Sequence, residues 1–125
     1  MANKQIIVCD TNILVYFFEG NKEAGKILNL NQVIISSITF IEILSNKNIP
    51  SSQRNLIYDF LRSLSIVETN PVINKIAAEF RLIYGLDTAD AIIAATAKYQ
   101  NNNLVTADKI FYKIKEIEII KFSKK

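Results

Sequence analysis

The segments IIVC (6–9), VII (33–35) and LV (104–105) carry apolar side chains at consecutive positions rather than at every second one. Successive side chains of a strand leave opposite faces of the pleat, so a strand with one wet face alternates apolar with polar residues. A strand that does not alternate needs cover on both faces. Stretches with helical spacing lie between these runs, and strands hidden on both sides and separated by helices are the repeating unit of a parallel sheet clad in helices.

The order of elements follows from local signals. Gln5 to Cys9 reads as a buried strand, and Asp10, a helix-capping residue type, leads into a helix from Thr11 to about Glu19, which Gly20-Asn21 stops. A short helix is expected over Lys22 to Leu30, then the strand VIIS (33–36) and a further helix from Ser37. Leu56, Ile57, Phe60, Leu61 and Leu64 follow helical spacing over Ser51 to Leu64, with Ser51 or Ser52 as the cap, and a short strand is expected at Ser65 to Val67. Pro71 suits the first turn of a helix ended by Gly85, whose apolar residues Val72, Ile73, Ile76, Ala77, Phe80, Ile83 and Tyr84 are expected on one face. The helix Thr88 to Tyr99 is rich in alanine, which permits close packing. Asn103 to Thr106 and Glu116 to Phe122 read as the last two strands, separated by a short helical turn. No linker or repeat divides the 125 residues, and one domain over 1–125 is expected.

Composition removes whole classes of chemistry. There is no histidine, which excludes Ser-His-Asp and Cys-His catalysis and His-ligated zinc. The single cysteine, Cys9, allows no intramolecular disulfide and no cysteine-rich metal site, and inside an apolar strand it reads as a small core residue. Apolar runs such as Ile13 to Phe18 fall far short of the roughly 20 residues that span a bilayer, so a cytoplasmic protein is expected. A net charge of +3 permits a polyanionic partner without demanding one; the lysines are scattered, with a mild concentration from Lys109 to Lys125.

Against this apolar background a few acids stand alone. Asp10 is the only charged residue between Lys4 and Glu19, and Glu42 the only one between Lys26 and Lys47; Asp90 opens a helix that carries no further charge until Lys98, and Asp108 follows the fourth strand. Each has a structural explanation taken singly. Asp10 and Asp108 are capping residue types, Asp87 and Asp90 have the spacing of a capping box, and Glu42, on a polar stripe with Thr39 and Ser45, can simply face water. Taken together they lie on the side of the sheet where its strands end, the side on which parallel sheets bind ligands. Two carboxylates about 4 Å apart repel by roughly 4 kcal/mol at an effective dielectric of 20, so a converging group needs protons or a divalent cation. Oxygen donors without His or Cys select Mg²⁺ or Mn²⁺, ions that commonly serve phosphoryl chemistry.

The segments VCDTNIL, SSITFIEIL, ADAIIAATA and LVTADKIF, in that order and covering Ile6 to Phe111, together resemble a PIN domain, and more closely the small VapC-type ribonuclease toxins. The resemblance implies a PIN-like three-layer α/β/α sandwich around a five-stranded parallel sheet, and a Mg²⁺- or Mn²⁺-dependent endoribonuclease site. Asp10, Glu42, Asp90 and Asp108 match the catalytic, metal-binding acids, with Asn12 and Thr106 as supporting polar residues; Asp87 matches none and is kept as a helix cap. It further implies an RNA substrate, a small antitoxin protein as partner, and a homodimer. Two positions depart from the pattern T-R-[DN]-x-D-F common in such sequences: Ala107 stands in place of the arginine and Ile110 in place of a second late acid. Tyr16, Phe17 and Phe18 are candidates for an interface, with core packing the favoured use of most of them.

Other acid-lined sheets fit less well. A phosphorelay receiver needs an aspartate after its third strand, and Asp59 falls inside a helix; a haloacid-dehalogenase-type phosphatase needs D-x-D after the first strand, where this chain has Asp10-Thr11-Asn12. The remaining alternative is a catalytically silent PIN-like module that binds RNA or protein, for which a cluster of negative charge brings no gain in RNA affinity.

Overall fold

Gln5–Cys9 forms β1, and with Asn31–Ser36 (β2), Ser65–Val67 (β3), Asn103–Thr106 (β4) and Ile119–Lys121 (β5) it builds one sheet in the order β3-β2-β1-β4-β5, parallel at every pairing. The computed structural model describes residues 4–124. Among the described residues six helices connect and cover the strands: α1 Thr11–Phe18, α2 Lys22–Leu30, α3 Ser37–Leu44, α4 Arg54–Arg62, α5 Pro71–Tyr84 and α6 Thr88–Gln100. None of them is long and apolar enough to cross a membrane.

The lack of alternation in the strands has the expected cause. Ile7 and Cys9 of β1 enter one buried cluster with Val33, Ile35, Val105 and residues of α1 to α4, whereas Val8 enters another with Ile34, Leu104 and residues of α5 and α6. Neighbouring residues of one strand thus serve two cores, giving three layers. Ala91, Ala94, Ala95 and Ala97 are all buried, the close approach of α6 that its small side chains allow. Tyr16, Phe17 and Phe18 are partly buried against the first cluster, with Tyr16 stacked on Phe122 and Phe17 on Phe60, so core packing is their use.

Three local expectations differ from the structure. Neither Ser51 nor Ser52 caps α4; a 3₁₀ turn, Ser51–Gln53, leads into a helix that starts at Arg54 without a side-chain cap. The Arg54 guanidinium is used instead to satisfy the carbonyls of Leu44, Asn46 and Ile49, tying down the preceding loop. On α5, Ile73, Ala77 and Phe80 are buried but Val72 and Ile83 are 55% and 64% exposed. At 3.6 residues per turn these two sit about 80–100° around the helix from the buried centre, beyond the arc that touches the sheet. β5 spans Ile119–Lys121 instead of Glu116 to Phe122, in register with Leu104, Val105 and Thr106 of β4.

Candidate active site

The sheet order places a topological switch at β1: the chain goes from β1 outward to β2 and β3, then returns to β4 on the other side. Crevices form where such connections part, beyond the strands' carboxyl ends. Asp10 leaves β1 and Asp108 follows β4 there. Asp10 is 3% exposed, held at both oxygens: Oδ1 accepts from the Thr11 N–H at 2.7 Å and Oδ2 from the Thr106 hydroxyl at 2.7 Å. The same Thr106 hydroxyl accepts from the Asp108 N–H at 3.0 Å, so one buried threonine links both acids. Asp108 Oδ1 accepts from Ile110 N–H at 3.1 Å and caps the 3₁₀ turn Lys109–Phe111, while Ile110 packs against the α5/α6 core and supplies no acid.

Glu42 arrives from α3. That helix starts where the buried Ser36 hydroxyl accepts from Ile38 N–H, which fixes its entry angle just past β2. Glu42 is exposed, yet its Oε1 accepts from the Thr11 hydroxyl at 2.7 Å, and Thr11 Oγ1 lies 3.0 Å from Oγ1 of the fully buried Thr39. Thr11 has one hydroxyl proton, which goes to the carboxylate; Thr39 therefore donates to Thr11, forming a relay from the core to Glu42. Sequence reasoning missed Thr11. Its sole local signal is its place next to Asp10, because the Glu42 contact is made between α1 and α3.

Asp87 is the N-cap of α6, accepting from the Asp90 N–H at 2.9 Å. Among the described residues Asp90 returns no bond to the Asp87 backbone, so the capping box is one-sided. Asn12, expected as a support, is exposed on the first turn of α1 and makes no side-chain hydrogen bond among the described residues.

The electrostatics tie the four acids together. Burial pushes the Asp10 carboxyl up to about 6, against the lowering effect of its Thr106 and Thr11 hydrogen bonds, with Asp108 and Glu42 raising it further. Asp90 is pushed up to about 7 by burial first, then by Asp87, Asp10, Asp108 and Glu42. Asp10, Glu42, Asp90 and Asp108 come from four separate segments, and the charges of Glu42 and Asp108 act on both Asp10 and Asp90. Cys9 beneath them is pushed up to about 12 by burial and by Asp10, an inert thiol.

Among the described residues no three of these acids stand close enough together to hold a metal ion by themselves. The donors are all hard oxygens, and such an open set fits a cation that keeps several waters, as Mg²⁺ does, better than one caged wholly by protein.

The model of the PIN domain family matches residues 7–117. This chain belongs to the PIN domain family. Among relatives of this PIN domain protein, Ribonuclease VapC2 of Methanocaldococcus jannaschii is 27% identical over 137 aligned positions, covering 91% of this chain and 92% of that protein. Among solved structures, a chain of a toxin-antitoxin complex from Klebsiella pneumoniae superposes with a TM-score of 0.83 at 29% identity, over 92% of this chain and 96% of that one. A chain of VapBC2 from Rickettsia felis, solved bound to a DNA fragment from their promoter, gives 0.80 at 25% identity, over 95% and 100%. The PIN fold and the five-stranded sheet expected from the motifs are both present.

Proposed function

We propose that this PIN domain protein is a divalent-metal-dependent endoribonuclease that hydrolyses phosphodiester bonds of RNA, and that it is the toxin of a toxin-antitoxin pair. It acts as a single domain over 1–125, in the cytoplasm, as a homodimer silenced by a small antitoxin protein. The observation that carries the nuclease reading is an aspartate buried at the carboxyl end of β1 at a cost in ionisation, which the charges of Asp108 and Glu42 raise further. The relative named Ribonuclease VapC2 supports the activity, and the likeness to chains of toxin-antitoxin complexes supports the partner.

Asp10, Glu42, Asp90 and Asp108 hold Mg²⁺ or Mn²⁺ in this reading. When bound, the ion supplies Lewis acidity, neutralises charge on the phosphate and makes water more acidic. Thr106 fixes Asp10 in its rotamer and orients the Asp108 backbone; Thr11, backed by Thr39, holds the otherwise exposed Glu42. Asp90, pushed up by burial and by its acidic neighbours in the empty site, would share in holding the cation as an ionised carboxylate; in the hydrolysis the water oxygen bonds to phosphorus, the P–O bond to the departing sugar oxygen breaks, and the water gives up a proton to solvent while the departing oxygen takes one. A silent RNA-binding module gains nothing from the four acids, because each repels the RNA backbone.

The test is incubation of the purified protein with structured RNAs in Mg²⁺, in Mn²⁺ and in chelator, beside Asp10→Asn. Cleavage that needs the cation and disappears in the variant is expected. Undiminished cleavage in the variant or in chelator overturns the mechanism.

A further inference from the structure

An all-acid site repels the polyanion it cuts, so affinity for the substrate has to come from groups around it. The carboxyl edge of the sheet carries such groups. Lys109 follows Asp108, and Lys121 ends β5 as the register partner of Thr106, with the Phe122 N–H donating to the Thr106 carbonyl at 2.9 Å. Adjacent strands lie about 4.8 Å apart, which is the lateral step from the threonine that grips Asp10 to the backbone of Lys121. The Lys121 ammonium sits 4.8 Å from the centroid of the Tyr112 ring, just past the 3₁₀ turn that Asp108 caps. Lys121 is exposed and Tyr112 partly so.

Comparison with a neighbouring pair shows what is unusual here. Lys124 lies 4.8 Å from the Tyr16 ring, but it also pairs with Glu19 at 3.7 Å, and Tyr16 is stacked on Phe122, so that contact is an internal tie with its charge balanced. Among the described residues neither Lys109 nor Lys121 pairs with a carboxylate, and no second aromatic ring stacks on Tyr112. An unneutralised ammonium beside a partly exposed ring, one strand away from a phosphodiester-cleaving site, is the combination that binds single-stranded nucleic acid: the cation takes a phosphate, the ring takes a base.

We propose that Lys121 and Tyr112, with Lys109 beside Asp108, form the landing for a single-stranded RNA segment flanking the cleaved bond. The inference rests on the nuclease reading above. A flanking phosphate draws the Lys121 ammonium off the Tyr112 ring, and the base of the same nucleotide takes the ring face it leaves. The landing selects unpaired over duplex RNA, since in a duplex the base faces are already stacked.

The test is fluorescence anisotropy with a short fluorescein-labelled single-stranded RNA in Mg²⁺ over a KCl series, every protein carrying Asp10→Asn to prevent cutting. Lys121→Ala is expected to lower the log–log salt slope by about 0.7, the value for one lost single-strand phosphate contact. Tyr112→Ala is expected to weaken binding about tenfold while Tyr112→Phe retains it, the mark of stacking. Lys98→Ala, at the far end of α6, serves as control and should match the parent. Parental affinity and slope in both Lys121→Ala and Tyr112→Ala, while the unmutated enzyme still cleaves RNA, would overturn the landing and leave the nuclease reading standing. Absence of RNA cleavage by the unmutated enzyme and of binding by the parent would remove the nuclease reading and the landing with it. An equal effect of Tyr112→Ala on a duplex of the same sequence would also count against the landing.

Discussion

Asp10→Asn is expected to abolish cleavage and, in the absence of metal, to make the protein more stable. Asp10 titrates near 6 in the fold against an ordinary 3.8, about two pH units. At 1.36 kcal/mol per unit, that is about 3 kcal/mol of destabilisation at neutral pH. The sign follows from proton binding: between about pH 4 and pH 6 the folded state holds a proton that the unfolded chain has released, so stability rises as pH falls through this window. Above it the penalty is present in full. Asparagine keeps Oδ1 for the Thr11 N–H, but its amide replaces the oxygen that accepts the Thr106 hydroxyl, which loses an outlet for its proton at a cost of about 1 kcal/mol. The remainder, about 2 kcal/mol, corresponds to a rise in Tm of about 6–10 °C for a chain of this size. Thermal unfolding by circular dichroism in EDTA at pH 8 and again at about pH 4.5 checks this; at the lower pH the folded parent is protonated and the advantage should vanish. A variant less stable than the parent at pH 8, or an advantage independent of pH, would refute the reasoning. Added Mn²⁺ should raise the Tm of the parent and not of the variant.

Thr39→Val removes the donor that orients Thr11, so Glu42 is held less firmly; the Mn²⁺ concentration for half-maximal cleavage should rise severalfold with the maximal rate largely kept, isothermal titration should show the weaker binding directly, and Thr39→Ser should restore it. Because Asp90 titrates near 7, cation binding displaces its proton, and Mn²⁺ affinity should increase from pH 6 to pH 8 in the parent; titration of Asp90→Asn at both pH values should show little of that dependence. Gly85 ends α5 at φ +70° with nothing within 4 Å of an added Cβ, so Gly85→Ala should cost about 1 kcal/mol from backbone strain alone, read as a lower urea midpoint with unchanged cleavage.

The acids were legible because each interrupts an apolar or uncharged stretch, which a solvated surface charge does not do. Asp10 within IIVCDTNIL and Asp90 within ADAIIAATA announce burial and a reason to bear it; Asp87 announces a cap by its spacing from the Asp90 N–H. Glu42 was visible for the same reason, and its exposure agrees with the solvent-facing reading. Its hold on the site depends on Thr11, 31 residues earlier, and on Thr39 behind it, contacts made by the packing of α1 on α3. The exposure of Val72 and Ile83 escaped a reading by helical spacing because spacing gives the angle between residues and not the width of the face that the sheet covers. The pairing of Lys121 with Tyr112 depends on how far β5 runs beside β4.

What the sequence determined by itself is the local grammar: apolar runs without alternation dictate strands covered twice, caps and stops set where most of the helices begin and end, and the missing histidines confine the chemistry to carboxylates. Tertiary structure alone decided the strand order, and with it the switch point at β1 that brings Asp10, Glu42, Asp90 and Asp108 into one field. The physical reason is range. Backbone preference and side-chain periodicity act over a few residues, whereas the repulsion that raises Asp10 and Asp90, and the hydroxyl bonds that hold the acids, act across distances that folding has to close.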